Sequence, residues 1–140
     1  MKVEFKKLNE LAVIPQKAHQ TDAGFDMTCT GVDIDVSGII TYHTGIATAI
    51  PDGYVGLLFS RSSIYKQDLI LSNAVGVIDS SYRGEIMFKF RTTQPYAKRY
   101  DVGDKIGQII IIPYPEIEFV EADTLPDSDR GEGGFGSSGK

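Results

Sequence analysis

Apolar and polar positions alternate with a period of two along much of this chain. Val3-Glu4-Phe5-Lys6-Lys7-Leu8 reads as a half-buried strand, and Val32-Asp33-Ile34-Asp35-Val36 alternates cleanly. Ser37-Gly38 forms a hairpin-like turn, and Ile39 to Thr44 is the return strand. Ile46 to Ile50 is the next strand, closed by Pro51-Asp52-Gly53, and Tyr54 to Phe59 is apolar and extended. A short helix is predicted through about Lys66, capped by Ser62 or Ser63, followed by a short strand at Leu69 to Leu71. Gly76-Val77-Ile78, the turn formers Asp79-Ser80-Ser81 and Glu85 to Phe90 then read as strand, tight turn, strand. Lys105 to Ile112 is a near-continuous apolar run, as a strand inside a sheet requires. Pro113 and Pro115 end it, and Ile117 to Val120 is a predicted last strand. No long amphipathic helical pattern is present, so the fold class is all-β: a sandwich, jelly roll or barrel.

Composition narrows this picture. The 140 residues fit one domain and, at 41% hydrophobic, can bury a core. A net charge of −5 argues against a nucleic-acid-binding surface while leaving a free nucleotide open. Cys29 is the only cysteine, which excludes an intrachain disulfide and is compatible with a cytoplasmic location. The segment Met1 to Lys7 lacks the apolar core of a signal peptide, and no apolar run approaches the ~18 residues of a membrane helix. From Asp127 the composition changes to glycine with one large apolar residue, Phe135. Residues 1–126 are therefore expected to form the β domain, and 127–140 a flexible arm that cannot build a core alone.

Several positions carry candidate chemistry. Asp79 ends an apolar strand at a turn, where a carboxylate can face a pocket while the strand behind it stays rigid. Tyr82, three residues on, can wall the same pocket, although both residues also suit an ordinary hairpin. Asp22 and Asp26 flank a glycine, as a cation site or a solvated turn would. Arg61, Ser62 and Ser63 at a helix start can cradle phosphate oxygens. Asn73 can donate to and accept from a heterocycle edge, and Gln108 interrupts an apolar strand and needs a partner. In the tail, Arg130 and the hydroxyls of Ser137 and Ser138 surround Phe135 among glycines whose backbone can form an anion nest. His19 and His43 show no ligand spacing and read as structural or surface residues.

Taken together, five segments resemble the motifs of the trimeric dUTP diphosphatase (dUTPase) family, in the family's order. They are Asp22-Ala23-Gly24-Phe25-Asp26, Arg61-Ser62-Ser63, Asn73 with Gly76-Val77-Ile78-Asp79 to Tyr82-Arg83-Gly84, Gly103 to Gln108, and Arg130 to Gly139. The resemblance implies hydrolysis of dUTP to dUMP and pyrophosphate with Mg²⁺ on the triphosphate. It also implies a distorted jelly roll in a homotrimer with sites shared between subunits. Asp79 would orient the attacking water and take its proton, aided by partial burial, and Tyr82 would pack on the deoxyribose and exclude a 2′-hydroxyl. Asn73 and the backbone around Gly76, Val77 and Ile78 would read uracil, with Met87 near the same pocket. Arg61, Ser62, Ser63 and Gln108 would hold phosphates, and Asp26 would act near the metal through water. From another subunit, Arg130, Gly136, Ser137 and Ser138 would close on the phosphates while Phe135 stacks on the base.

The match has small departures. Ser60 stands where the family often has Pro, and Lys105 and Gly107 where Arg and Ala are common. The related dCTP deaminases share an Arg-Ser-Ser segment but carry a Glu at the position that Lys89 occupies here. A non-catalytic dUTP-binding regulator acting on a protein partner is the alternative of a different class.

Overall fold

A computed structural model describes residues 1–136. It is built almost wholly of antiparallel strands: β1 (Glu4–Lys7), β2 (Phe25–Thr28), β3 (Gly31–Ile34), β4 (Ile40–His43), β5 (Ile46–Ala49), β6 (Tyr54–Phe59), β7 (Leu69–Leu71), β8 (Gly76–Ile78), β9 (Met87–Thr92) and β10 (Lys105–Pro113). A single 3₁₀ helix spans Ser62–Lys66. Two four-stranded sheets form the sandwich, in the orders β2-β10-β6-β8 and β3-β4-β9-β7, and β1 pairs with β5 in a small third sheet. No helix among the described residues is long and apolar enough to cross a membrane.

The core lies between the two large sheets. One sheet contributes Ile40, Tyr42, Leu69, Leu71, Phe88 and Phe90, the other Met27, Leu58, Ile78, Ile106 and Ile109, all buried. Phe88 and Phe90 stand two apart on β9 and so share a face. Their rings stack at 6.4 Å, while Tyr42 meets Phe90 edge to face at 5.6 Å. Strand β10 lies between β2 and β6, as its apolar run predicts.

Four sequence expectations are corrected. The stretch around Asp79 is not a hairpin: β8 pairs with β6 in one sheet and β9 with β4 and β7 in the other. The turn between them carries the chain from one sheet of the sandwich to the other. Strand β1 forms, but its four residues are exposed rather than half-buried. The 3₁₀ helix is not capped by a serine, since Arg61 is the last extended residue and Ser62 is already helical. Residues 117–120 form no strand, and Ile117, Phe119 and Val120 stand exposed without a pairing edge within the described residues.

Gly107, where the resembled family commonly has Ala, has a packing cause. A Cβ there would lie 2.2 Å from Cε1 of the buried Phe88 ring. Gly107→Ala is therefore expected to destabilise the fold by about 1–3 kcal/mol through overpacking. Denaturant unfolding should show the loss, and Phe88→Leu in the same chain should recover part of it.

Candidate functional site

Strand β8 is the outer strand of its sheet, so one side of its backbone is left unpaired by the ladder. That edge opens onto a cavity of about 410 Å³. The edge supplies Gly76, Val77, Ile78 and Asp79, the β7–β8 turn supplies Asn73, the crossing segment supplies Tyr82, and the start of β9 supplies Met87. Seven sequence-predicted site residues thus come together. An open strand edge presents N–H and C=O groups in a fixed row, the geometry needed to read the edge of a planar heterocycle.

Local structure sets the walls. In the β7–β8 turn Ala74 adopts a positive φ of 59°, and its N–H donates to the Leu71 carbonyl at 3.1 Å. The Tyr82 N–H donates to the Asp79 carbonyl at 3.1 Å, closing the turn after β8. Arg83 braces that turn by donating Nη1 to the carbonyls of Ser80 and Tyr82. The Tyr82 hydroxyl donates to the Glu85 carbonyl at 3.0 Å. Its ring lies over Gly84, where a Cβ would come within 2.3 Å of the Tyr82 hydroxyl oxygen. Only glycine at 84 lets the ring lie this close.

Two carboxylates line the cavity. That of Glu85 is engaged: Oε1 accepts the Gly45 N–H at 2.7 Å, and Oε2 lies 2.9 Å from His43 Nδ1. The other His43 nitrogen, Nε2, lies 2.8 Å from Asp33 Oδ2. Asp79 is exposed, so the partial burial expected of it is not found within one chain. Lys89, at the deaminase Glu position, lines the same cavity.

The phosphate-binding candidates lie elsewhere. Arg61 and Ser63 line a second cavity of about 220 Å³ with Lys66, Gln67, Tyr100, Asp104 and Lys105. Asp26 sits behind them, its Oδ1 accepting from Arg61 Nε at 2.9 Å and its Oδ2 from Lys105 Nζ at 2.8 Å. Gln108 Nε2 donates to the Ser60 carbonyl at 3.1 Å, holding the residue before the Arg-Ser-Ser segment. Ser62 is exposed. Asp22 does not join Asp26: its Oδ2 accepts the His19 N–H at 2.9 Å and closes its own turn. Among the described residues no group of three His, Cys, Asp or Glu is placed to hold a metal ion. Arg130 donates to the Gly133 carbonyl at 2.7 Å, Phe135 is fully exposed, and neither they nor Gly136 line either cavity. Ser137 and Ser138 lie outside the described residues.

Sequence reasoning assigned no site role to Glu85, Arg83 or His43. Their partners are backbone groups and side chains up to 42 residues away, and no local spacing signals them.

Comparison with known proteins gives a consistent picture. The family model for dUTPase matches residues 10–139. A deoxyuridine 5′-triphosphate nucleotidohydrolase of Thermobifida fusca is 39% identical over 99% of this chain and 79% of its own length. One from Leifsonia xyli subsp. xyli is 42% identical over 90% of this chain and 85% of its own. The solved dUTPase of Staphylococcus bacteriophage 80alpha with dUPNHPP superposes with a TM-score of 0.88, is 27% identical, and covers 99% of both chains.

Two outcomes are expected from this geometry. Asp26→Asn should lower stability by about 1–3 kcal/mol with no metal or nucleotide present, because it weakens the partner of two cations; thermal unfolding in chelator measures it. The His43 pKa is raised, first by the Glu85 hydrogen bond, against burial, and then by Asp33. Its folded value therefore exceeds the unfolded value of about 6.5, so its stabilisation is complete below that pH and is lost as pH rises through the folded value. The stability advantage of the native chain over His43→Gln should shrink between about pH 6 and about pH 9 in unfolding experiments.

Proposed function

The chain belongs to the dUTPase family, and on that premise we propose that it hydrolyses dUTP to dUMP and pyrophosphate. One arrangement carries this reading: a strand edge able to read a base, a tyrosine wall and a carboxylate share one cavity. Hydrolysis of this kind would limit uracil in DNA and supply dUMP for dTMP synthesis.

In this reading uracil meets the unpaired backbone edge of Gly76, Val77 and Ile78 and the Asn73 amide, with Met87 filling the pocket beside it. The Tyr82 ring packs on the deoxyribose and leaves no room for a 2′-hydroxyl. A site that rejects a group sterically differs from one that hydrogen-bonds it, and this wall is of the first kind. Asp79 holds a water and takes its proton as the water attacks phosphorus. Pyrophosphate leaves with its negative charge spread over phosphate oxygens, so the remaining work is positioning and charge neutralisation.

Arg61, Ser62, Ser63 and Gln108 serve the phosphates, Gln108 through the Ser60 backbone it holds. These groups lie outside the base cavity, which supports a homotrimer with sites assembled between subunits. The exposed Ile117, Phe119, Val120 and Leu125 also support contacts between copies. The 127–140 arm would then bring Arg130, Phe135, Gly136, Ser137 and Ser138 to a neighbour's site and expel water on closing.

Both Asp26 oxygens are already paired with cations, and no carboxylate cluster accompanies it among the described residues. This donor set fits a Mg²⁺ carried on substrate oxygens and met by Asp26 through water, not a protein cage. When bound, Mg²⁺ would neutralise charge on the triphosphate. The free, buried Cys29 accords with a cytoplasmic location.

The relatives carry a nucleotidohydrolase name, and Asp79 stands intact at the pocket, so hydrolysis is favoured over the non-catalytic regulator. A deaminase would need a proton-handling carboxylate where Lys89 stands.

Pyrophosphate release with Mg²⁺ should be fast for dUTP and slow for dTTP, dCTP and UTP. Asp79→Asn should lower kcat on dUTP by about 10²–10⁴-fold while dUTP still binds. Undiminished turnover in that variant would remove Asp79 from its role, and binding without turnover in the native chain would favour the regulator.

A further inference from the structure

We propose that His43 is a positioning residue for sugar discrimination: from β4 it clamps the Glu85 carboxylate, and Glu85 in turn holds the Tyr82 ring against the deoxyribose. The inference rests on the reading of Tyr82 given above.

The linkage is continuous in hydrogen bonds. Asp33 Oδ2 lies 2.8 Å from His43 Nε2, and His43 Nδ1 lies 2.9 Å from Glu85 Oε2. The second Glu85 oxygen accepts the Gly45 N–H at 2.7 Å, and the Glu85 carbonyl accepts the Tyr82 hydroxyl at 3.0 Å. Glu85 is thus tied at both carboxylate oxygens and at its carbonyl. A carboxylate held by a backbone N–H and a ring N–H has little rotational freedom, and charge-assisted bonds are the stronger kind. Its main chain, which carries the acceptor for Tyr82, is immobilised with it.

The Tyr82 main chain is held by the Asp79 carbonyl and by Arg83, but its ring is less restrained: the residue is 41% exposed, and the ring rests on Gly84, which offers no side chain. The hydroxyl-to-carbonyl bond is therefore the main restraint on where the ring stands. A sub-ångström shift of that wall decides whether a 2′-hydroxyl clashes, so the ring's position bears on discrimination more than on the chemical step.

Both His43 nitrogens face a carboxylate, and both bonds are satisfied only when each nitrogen carries a proton. Facing the ring are Asp33 from β3 and Glu85 ahead of β9; Lys89 stands farther along β9, opposite Thr41. The Asp33 side chain is 79% exposed and can turn to solvent, whereas that of Glu85 is 22% exposed. Losing the ring proton removes the charge that both carboxylates share and turns the charge-assisted bond to Glu85 into a weaker neutral one, so discrimination should soften as the ring loses its charge.

The experiment measures kcat/KM for dUTP and for UTP, with Mg²⁺, from about pH 6 to about pH 9. It compares the native chain with His43→Ala, His43→Lys and Glu85→Gln. In His43→Ala the dUTP/UTP ratio should fall about tenfold, with kcat on dUTP little changed. His43→Lys, which keeps a cation for Glu85 across this range, should retain most of the ratio and show no pH dependence in it. Glu85→Gln should resemble His43→Ala, and the native ratio should decline as pH rises. An unchanged ratio in His43→Ala, or equal losses on both nucleotides, would overturn the proposal and leave His43 a stabilising residue only. If His43→Ala does not fold, the native pH profile and the lysine variant decide, and a pH-independent native ratio overturns it. A native chain that does not prefer dUTP over UTP would instead show that the Tyr82 reading has failed.

Discussion

The grip of the β4–β5 corner on residues 85 and 86 is the constraint on which the site depends. The Thr44 hydroxyl donates to the Ile86 carbonyl at 2.6 Å, and the Ile86 N–H donates to the Ile46 carbonyl at 2.8 Å. Gly45 and His43 take the two oxygens of Glu85. Between Ile78 and Met87 the chain leaves one sheet and joins the other, with no ladder of its own to hold it. Backbone groups in such a crossing must find partners elsewhere, and Thr44 and Ile46 supply them for Ile86. Because Ile86 is fully buried, the crossing is fixed at its far end as firmly as a strand. The turn carrying Asp79 and Tyr82 is therefore stretched between two anchored points.

That anchoring explains what could be read from the chain and what could not. Strand β4 was legible because one face is buried and the alternation records it, whereas β3 alternates equally cleanly although Val32 and Ile34 stand exposed within one chain. The β3–β4 hairpin was legible because Ser37-Gly38 is local turn chemistry, and Gly38 indeed has a φ of 81°. The sheet crossing at Asp79 was misread as a hairpin because two short strands and a polar turn look alike whether the strands pair with each other or with distant partners. The predicted strand at 117–120 has the right residue types, yet a strand exists only where an edge is available to it. In the same way β1 finds a partner edge in β5 but covers no core within one chain.

For the site, turn chemistry pointed to Asp79 and Tyr82 at one pocket, and the family resemblance added Asn73, Gly76, Val77, Ile78 and Met87, all within fifteen positions around one strand edge. They could not disclose how Asp26 is used. An Asp that follows Gly24-Phe25 looks like a cation ligand, but in the fold its two oxygens are taken by Arg61 and Lys105 from β6's end and β10. With a side chain only 14% exposed, Asp26 would be costly to leave unpaired, and its pairing fixes the Arg61 guanidinium in place. The carboxylate thus prepares a cationic surface.

Gly107 shows how a departure in one motif is tied to packing on a strand of the other sheet. Phe88 belongs to β9, beside the pocket residue Met87, and its ring occupies the space a side chain at 107 would need. Gln108 follows at once on β10 and holds the Ser60 carbonyl. A larger residue at 107 would push either on Phe88, and so on the wall at Met87, or on β10, and so on the segment leading to Arg61. Close-packed interiors transmit such displacements because no void absorbs them. The Asp79 cavity and the Arg61 cavity have different linings, and the Gly107–Phe88 contact lies on strands that lead to both.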